Sequence, residues 1–251
     1  MTPRATRQVK ELADKVALVT GGAVRVGRVI ALTLARAGAD VAIGYRGSAA
    51  AAHATVADLR ALGVRAVALR ADIGRPAAAR ALVEHAARRL GRLDILVNNA
   101  AVFLRTPLAE TTAAQWDRIL GVNLRGAFFC AQAAARLMPR GGRIVNIADV
   151  GGVRAWPGYI PYGVSKAGLI MLTRGLAAAL APRISVNAVG PGVVLLPADF
   201  PRSAAHRLRA RIPMGREGRP EDVAATVRFF ATCPPYITGQ VLFVDGGATA
   251  I

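Results

Sequence analysis

Cysteine is scarce. The 251 residues contain two, Cys130 and Cys233, far apart and without the spacing of a metal or redox pair. That excludes a disulfide scaffold and points to a reducing compartment, with no metal expected. No uninterrupted apolar run reaches the roughly 18 residues of a membrane span. The stretch 1–15 lacks the apolar core of a secretory signal. The expectation is a cytoplasmic chain, with a flexible extension at 1–11 ahead of a single domain at 12–251. Acids are few as well, 15 against 33 lysines and arginines, for a net charge of +18. Lysine is rare within that excess: Lys10, Lys15 and Lys166 are the only ones, so the rest is arginine. Aromatics make up 5%. A nucleic-acid surface gathers its cations into a stripe with aromatics between them. Here the arginines are scattered, and Arg88-Arg89 is the only adjacent pair. No nucleic-acid partner is expected, although the charge favours anionic ligands in general.

What the chain has is apolar residue in alternating blocks. At 53% apolar it can build a sizeable core. Val16–Thr20, Val41–Tyr45, Val64–Arg70, Leu93–Asn98, Arg143–Ala148, Ile184–Val189 and Val241–Val244 are short, β-branched and almost continuously apolar. Strands covered on both faces look like this. Between them run helical stretches at Gly27–Ala37, Ala49–Leu62, Pro76–Leu90, Ala113–Met138, Tyr162–Leu180 and Pro220–Ala231. Gly38, Gly63 and Gly91 stand where C-caps belong. The alternation predicts an α/β fold: one doubly wound parallel sheet of about seven strands with helices on both faces, the Rossmann-type arrangement. Only 190–219 reads as a long irregular stretch, the place for a substrate loop.

The first strand runs into Thr20-Gly21-Gly22-Ala23-Val24-Arg25-Val26-Gly27, ahead of a helix. Glycines at such a turn let the backbone approach a pyrophosphate, which then meets the helix N-terminal amides. Further on, Tyr162-x-x-x-Lys166 places a phenol and an ammonium on one helical face. A lysine in that position lowers the phenol pKa and makes it a usable acid.

Together these motifs resemble the short-chain dehydrogenase/reductase family over residues 12–249, with Arg25 in place of the middle glycine of its phosphate turn. Arginine there, with Tyr45-Arg46-Gly47-Ser48 ending the second strand and no acid beside it, suits the 2′-phosphate of NADPH. The resemblance implies further cofactor contacts at Asp72, at Asn99 and Ala100 of Asn98-Asn99-Ala100, and at Pro191-Gly192. It implies Tyr162 and Lys166 as catalytic and cofactor-binding residues, and Asn123 as support for a water leading to the lysine. A homotetramer is implied on the same ground.

Where the family carries serine, thirteen residues before the tyrosine, this chain has Asp149. Serine donates to a carbonyl oxygen on which charge develops. An aspartate instead suits a proton relay to nitrogen and accepts from amino groups. Arg25, Asp149, Tyr159 and Phe103 together resemble the pteridine reductases, in which the phenylalanine stacks on the pterin. Ala101 and the placement of Arg46 depart from that subfamily. The resemblance implies NADPH-dependent reduction of a C=N bond in a pterin or dihydrofolate. Phe103, Asp149, Tyr159 and Tyr162 would bind the substrate, and Asp149, Tyr162, Lys166 and Asn123 would be catalytic. The alternative is a carbonyl reductase acting on a 3-oxoacyl thioester. A disabled enzyme and a non-enzymatic NADP sensor are the remaining readings.

Overall fold

Alternate apolar residues on each strand face opposite ways, and the register lines them up across the sheet. Ile43, Val19, Val97 and Val145 form one row. Ala42, Leu18, Leu96, Ile144 and Val186 form the row one residue on. The first row packs under Ile30, Leu59, Val227 and Phe230. The second packs under Leu82, Val83, Cys130 and Ala177. Each face is therefore sealed by its own set of helices, and truncating Phe230 to alanine would cost about 3–5 kcal/mol.

The structure, a computed structural model, describes residues 10–196 and 202–250. The elements run β1 (Val16–Thr20), α1 (Arg25–Arg36), β2 (Asp40–Tyr45), α2 (Ala49–Ala61), β3 (Ala66–Arg70), α3 (Pro76–Leu90) and β4 (Ile95–Asn98). They continue with α4 (Ala113–Leu120), α5 (Ala127–Leu137), β5 (Gly142–Ile147), α6 (Ile160–Leu180), β6 (Ile184–Pro191), α7 (Arg202–Arg209), α8 (Pro220–Thr232) and β7 (Val241–Val244). The seven strands are parallel in the order β3-β2-β1-β4-β5-β6-β7. The chain reverses direction across the sheet between β1 and β4, where a doubly wound fold opens its ligand crevice. Gly91 takes the left-handed conformation at the end of α3, as its C-cap position predicted.

Four expectations need correction. The strands are not all buried on both faces, because β3 and β7 are edges and Leu242 is 45% exposed. The helix expected over 113–138 is broken by a π-helical segment, Gly121–Gly126, that carries Asn123. The stretch 190–219 is only partly irregular: β6 runs through Pro191, α7 forms at Arg202–Arg209, and 197–201 lie outside the described residues. The extension at 1–11 falls largely outside them too, but the chain is already anchored at Glu11. That residue pairs with Arg228 at 2.8 Å, and the Leu12 amide donates to the Ala37 carbonyl. Among the described residues one helix, α6, is long and apolar enough to cross a membrane by length and composition. In this fold it lies against β6 and carries the buried Tyr162 and Lys166.

Candidate active site

The carboxyl ends of β1, β2 and β4 open onto a cleft of about 490 Å³ lined by Gly21, Arg25, Val26, Gly27, Tyr45, Arg46, Ser48, Asp72, Asn99 and Ala100, among others. These ten are ten of the sequence-predicted cofactor residues. Glycine is required here by contact as well as conformation. A Cβ on Gly27 would lie 2.2 Å from the Gly21 carbonyl oxygen, and Gly21 itself has φ +64°. Helix α1 begins at this turn with Val24 as N-cap, so no side chain satisfies its first amides and no acid stands in its first turn. Such an end attracts a phosphate. Ser48 caps α2 without engaging its hydroxyl. The described residues therefore fit a dinucleotide, with the glycine turn taking the pyrophosphate.

Two contacts were not legible beforehand. Thr20 Oγ1 accepts the Asn99 and Ala100 amides, both at 3.0 Å, while Asn99 Nδ2 donates back to the Thr20 carbonyl at 2.9 Å. The two turns that floor the cleft are thus laced together. Arg25 holds φ +53°, the conformation of the glycine it replaces, at a cost of about 1–2 kcal/mol. Its guanidinium donates to the Leu195 carbonyl at 3.1 Å, beyond β6. Pro191 and Gly192 do not wall the cleft; Gly192 packs against Asp245 at the end of β6.

The second group of residues sits where β5 hands over to α6. Tyr162 Oη donates to one Asp149 carboxylate oxygen at 2.8 Å, and the Gly151 amide donates to the other at 2.7 Å. Lys166 is 3% exposed, and its Nζ donates to the Ile147 carbonyl at 2.7 Å. Burial lowers the Lys166 pKa to about 8, with Asp149 working in the opposite direction. Burial also raises the Asp149 pKa, against the lowering effects of the Gly151 amide, Lys166 and Tyr162.

One expectation fails here. The Tyr162 pKa is raised well above its ordinary value, by burial first and then by the Asp149 carboxylate. The lysine ammonium does not offset this, since it sits 5.6 Å from the phenol ring centroid and donates to a carbonyl. Asp149, not Lys166, holds the phenol proton.

Aromatic rings cover this group. Phe103 stacks on Tyr159 with centroids 4.6 Å apart and meets Tyr162 edge-on at 4.7 Å. Trp156, which the sequence reading missed, lies parallel to Tyr162 at 6.3 Å. Asn123 does not touch Lys166. Its Oδ1 accepts from the Val102 amide at 2.7 Å, and its Nδ2 donates to Ser165 Oγ at 3.0 Å. The π segment therefore braces the loop after β4, which carries Phe103, against α6, and π turns are frequent at functional sites.

Comparisons with known proteins agree with the fold and with a dinucleotide in the cleft. A family model described as Enoyl-(Acyl carrier protein) reductase matches residues 22–249. A 3-oxoacyl-(acyl-carrier-protein) reductase of Synechocystis sp. is 39% identical over 241 residues, covering 94% of this chain and 97% of that protein. A short chain dehydrogenase from Burkholderia cenocepacia, solved in complex with NADP, superposes with a TM-score of 0.90 at 43% identity, over 95% of this chain and 99% of that one. A blue fluorescent protein from a metagenomic library, solved in complex with NADPH, gives a TM-score of 0.90 at 41% identity with the same coverages. The chain belongs to the short-chain dehydrogenase/reductase family and is an oxidoreductase of that type. The names of these relatives do not repeat the pteridine-reductase resemblance.

Proposed function

We propose that the chain is an NADPH-dependent reductase acting on the C=N bond of a pterin or dihydrofolate. The observation that carries this reading is the Asp149–Tyr162 hydrogen bond at 2.8 Å beneath an aromatic cluster. NADPH would be held by the glycine turn, Arg46, Ser48 and Asp72, and when bound it supplies a hydride. Tyr162 presents its proton to the substrate nitrogen. The phenolate this leaves is costly in a buried site, and an Asp149 that enters the cycle as the neutral acid limits that cost by passing its proton to the phenolate oxygen and ending as the carboxylate. Because burial raises the Asp149 pKa, the protonated form persists to higher pH than in an ordinary carboxylate. Lys166 supplies positive charge below the phenol. Phe103 and Tyr159 offer flat faces to a ring, and Asp149 can accept from its amino edge.

A second reading is ketone reduction, as in a 3-oxoacyl thioester. The names of the relatives favour it over the pterin reading. Against it stands position 149, where the family's serine is replaced by a carboxyl group whose two oxygens are already engaged by Tyr162 and the Gly151 amide. NADPH oxidation with dihydrobiopterin, dihydrofolate and acetoacetyl thioester in parallel separates the two. The pterin reading requires turnover of a dihydropterin or dihydrofolate; efficient reduction of the thioester alone replaces it by the ketone reading. Family resemblance adds a cytoplasmic homotetramer, supported by an apolar groove between α4, α5 and α6 that exposes Trp116, Phe128 and Met171.

A further inference from the structure

Beside the cleft, behind the Arg46–Ser48 turn that lines it, stands an arginine that no motif pointed to. Arg70 closes β3 and pairs in register with Tyr45 on β2. Its Nε donates to the Arg46 carbonyl at 3.1 Å across that edge. The Arg46–Gly47–Ser48 turn, which walls the cleft, is therefore tethered from the neighbouring strand. Neither Arg46 nor Arg70 forms an ion pair with any acid among the described residues. Helix α2, which starts beside them, has no acid in its first turn, and the Ser48 hydroxyl is not used as its cap. Both side chains lack an acidic partner among the described residues, and a phosphate arriving at this edge would supply the counter-charge. Arg25 is placed differently, since its guanidinium is engaged at the Leu195 carbonyl on the β6 side.

We infer that Arg70 is a positioning and specificity residue for the cofactor. It fixes Arg46 and adds its charge where a 2′-phosphate arrives, and Arg25 does not read that phosphate. The inference rests on the NADPH reading above. It reassigns the discrimination between NADPH and NADH from the phosphate turn to the β2–β3 edge. Arg70 is exposed, so substituting it leaves the core intact.

The test is calorimetric titration of 2′,5′-ADP and 5′-AMP, which differ only in the phosphate at issue. Arg46→Ala and Arg70→Met should each weaken 2′,5′-ADP about tenfold, close to 1.4 kcal/mol, with 5′-AMP moving less than twofold. Arg70→Lys, which keeps the cation and a donor, should retain most of the discrimination. Arg25→Gly should move both ligands together and leave their ratio unchanged. An Arg70→Met protein with the unmodified ratio overturns the inference, and so does an Arg25→Gly protein that loses it. If the unmodified protein binds the two ligands equally, the NADPH reading itself falls. If it discriminates and Arg70→Met does so equally, only the role of Arg70 falls.

Discussion

The two ends of the active cleft are built by different means. At the cofactor end the backbone dominates: Gly21 and Gly27 are required because any Cβ would strike neighbouring main chain, and helix ends present free amides. At the chemistry end side chains dominate. Asp149, Tyr162 and Lys166 hold one another by charge and hydrogen bonds within a buried space. A backbone-built site tolerates changes of ligand detail, whereas a coupled side-chain site has its chemistry reset by a single substitution. The family's serine position is such a place.

The comparison is tested first by removing the phenol. Tyr162→Phe should reduce turnover about a thousandfold, within the range for a general acid. NADPH affinity, measured by fluorescence titration, should stay within twofold because the backbone-built end is untouched. A variant retaining most of its rate contradicts the assignment of the acid.

Next in size is a stability effect. Lys166 is buried with its pKa lowered to about 8 from 10.5. Below pH 8 the lysine is charged in both folded and unfolded states, so its full desolvation cost opposes folding. That cost disappears as pH rises from 8 to 10.5. The drop from 10.5 to about 8 corresponds to about 3 kcal/mol. Lys166→Met should therefore raise the Tm at pH 7 while abolishing turnover, and the gain should shrink toward pH 10.5. A Tm that falls instead shows that the Ile147 hydrogen bond outweighs the buried charge.

The smallest effect belongs to Phe103. Phe103→Ala should raise the KM for a dihydropterin about tenfold, the size of a lost ring stack, and alter that for acetoacetyl thioester less. Equal changes for both substrates argue against ring recognition.

These outcomes bear on what could be read from the chain beforehand. The strand positions, the glycine turn and the C-cap glycines were legible because period and local conformation determine them. The sheet edges were not, because a half-covered strand such as β7 carries the same apolar run, Val241–Val244, as a buried one. Contacts between distant positions were equally hidden: Arg25 meets Leu195 170 residues away, and Arg70 meets the Arg46 carbonyl across two strands. The sign of the Tyr162 shift was misread for the same reason. Sequence spacing placed Lys166 beside the phenol, but its ammonium turns to the Ile147 carbonyl and leaves the phenol to Asp149.

The central claim is that Asp149 decides the substrate, and exchanging it for the family's serine tests that claim most directly. NADPH oxidation should be measured for the unmodified protein and Asp149→Ser, each with dihydrobiopterin and with acetoacetyl thioester. The account predicts dihydrobiopterin turnover in the unmodified protein and a loss of about 100-fold on substitution. Thioester reduction should be unchanged or improved, since the serine restores a donor for the carbonyl oxygen. An unmodified protein that reduces the thioester efficiently, ignores dihydrobiopterin and loses thioester activity on substitution contradicts the account.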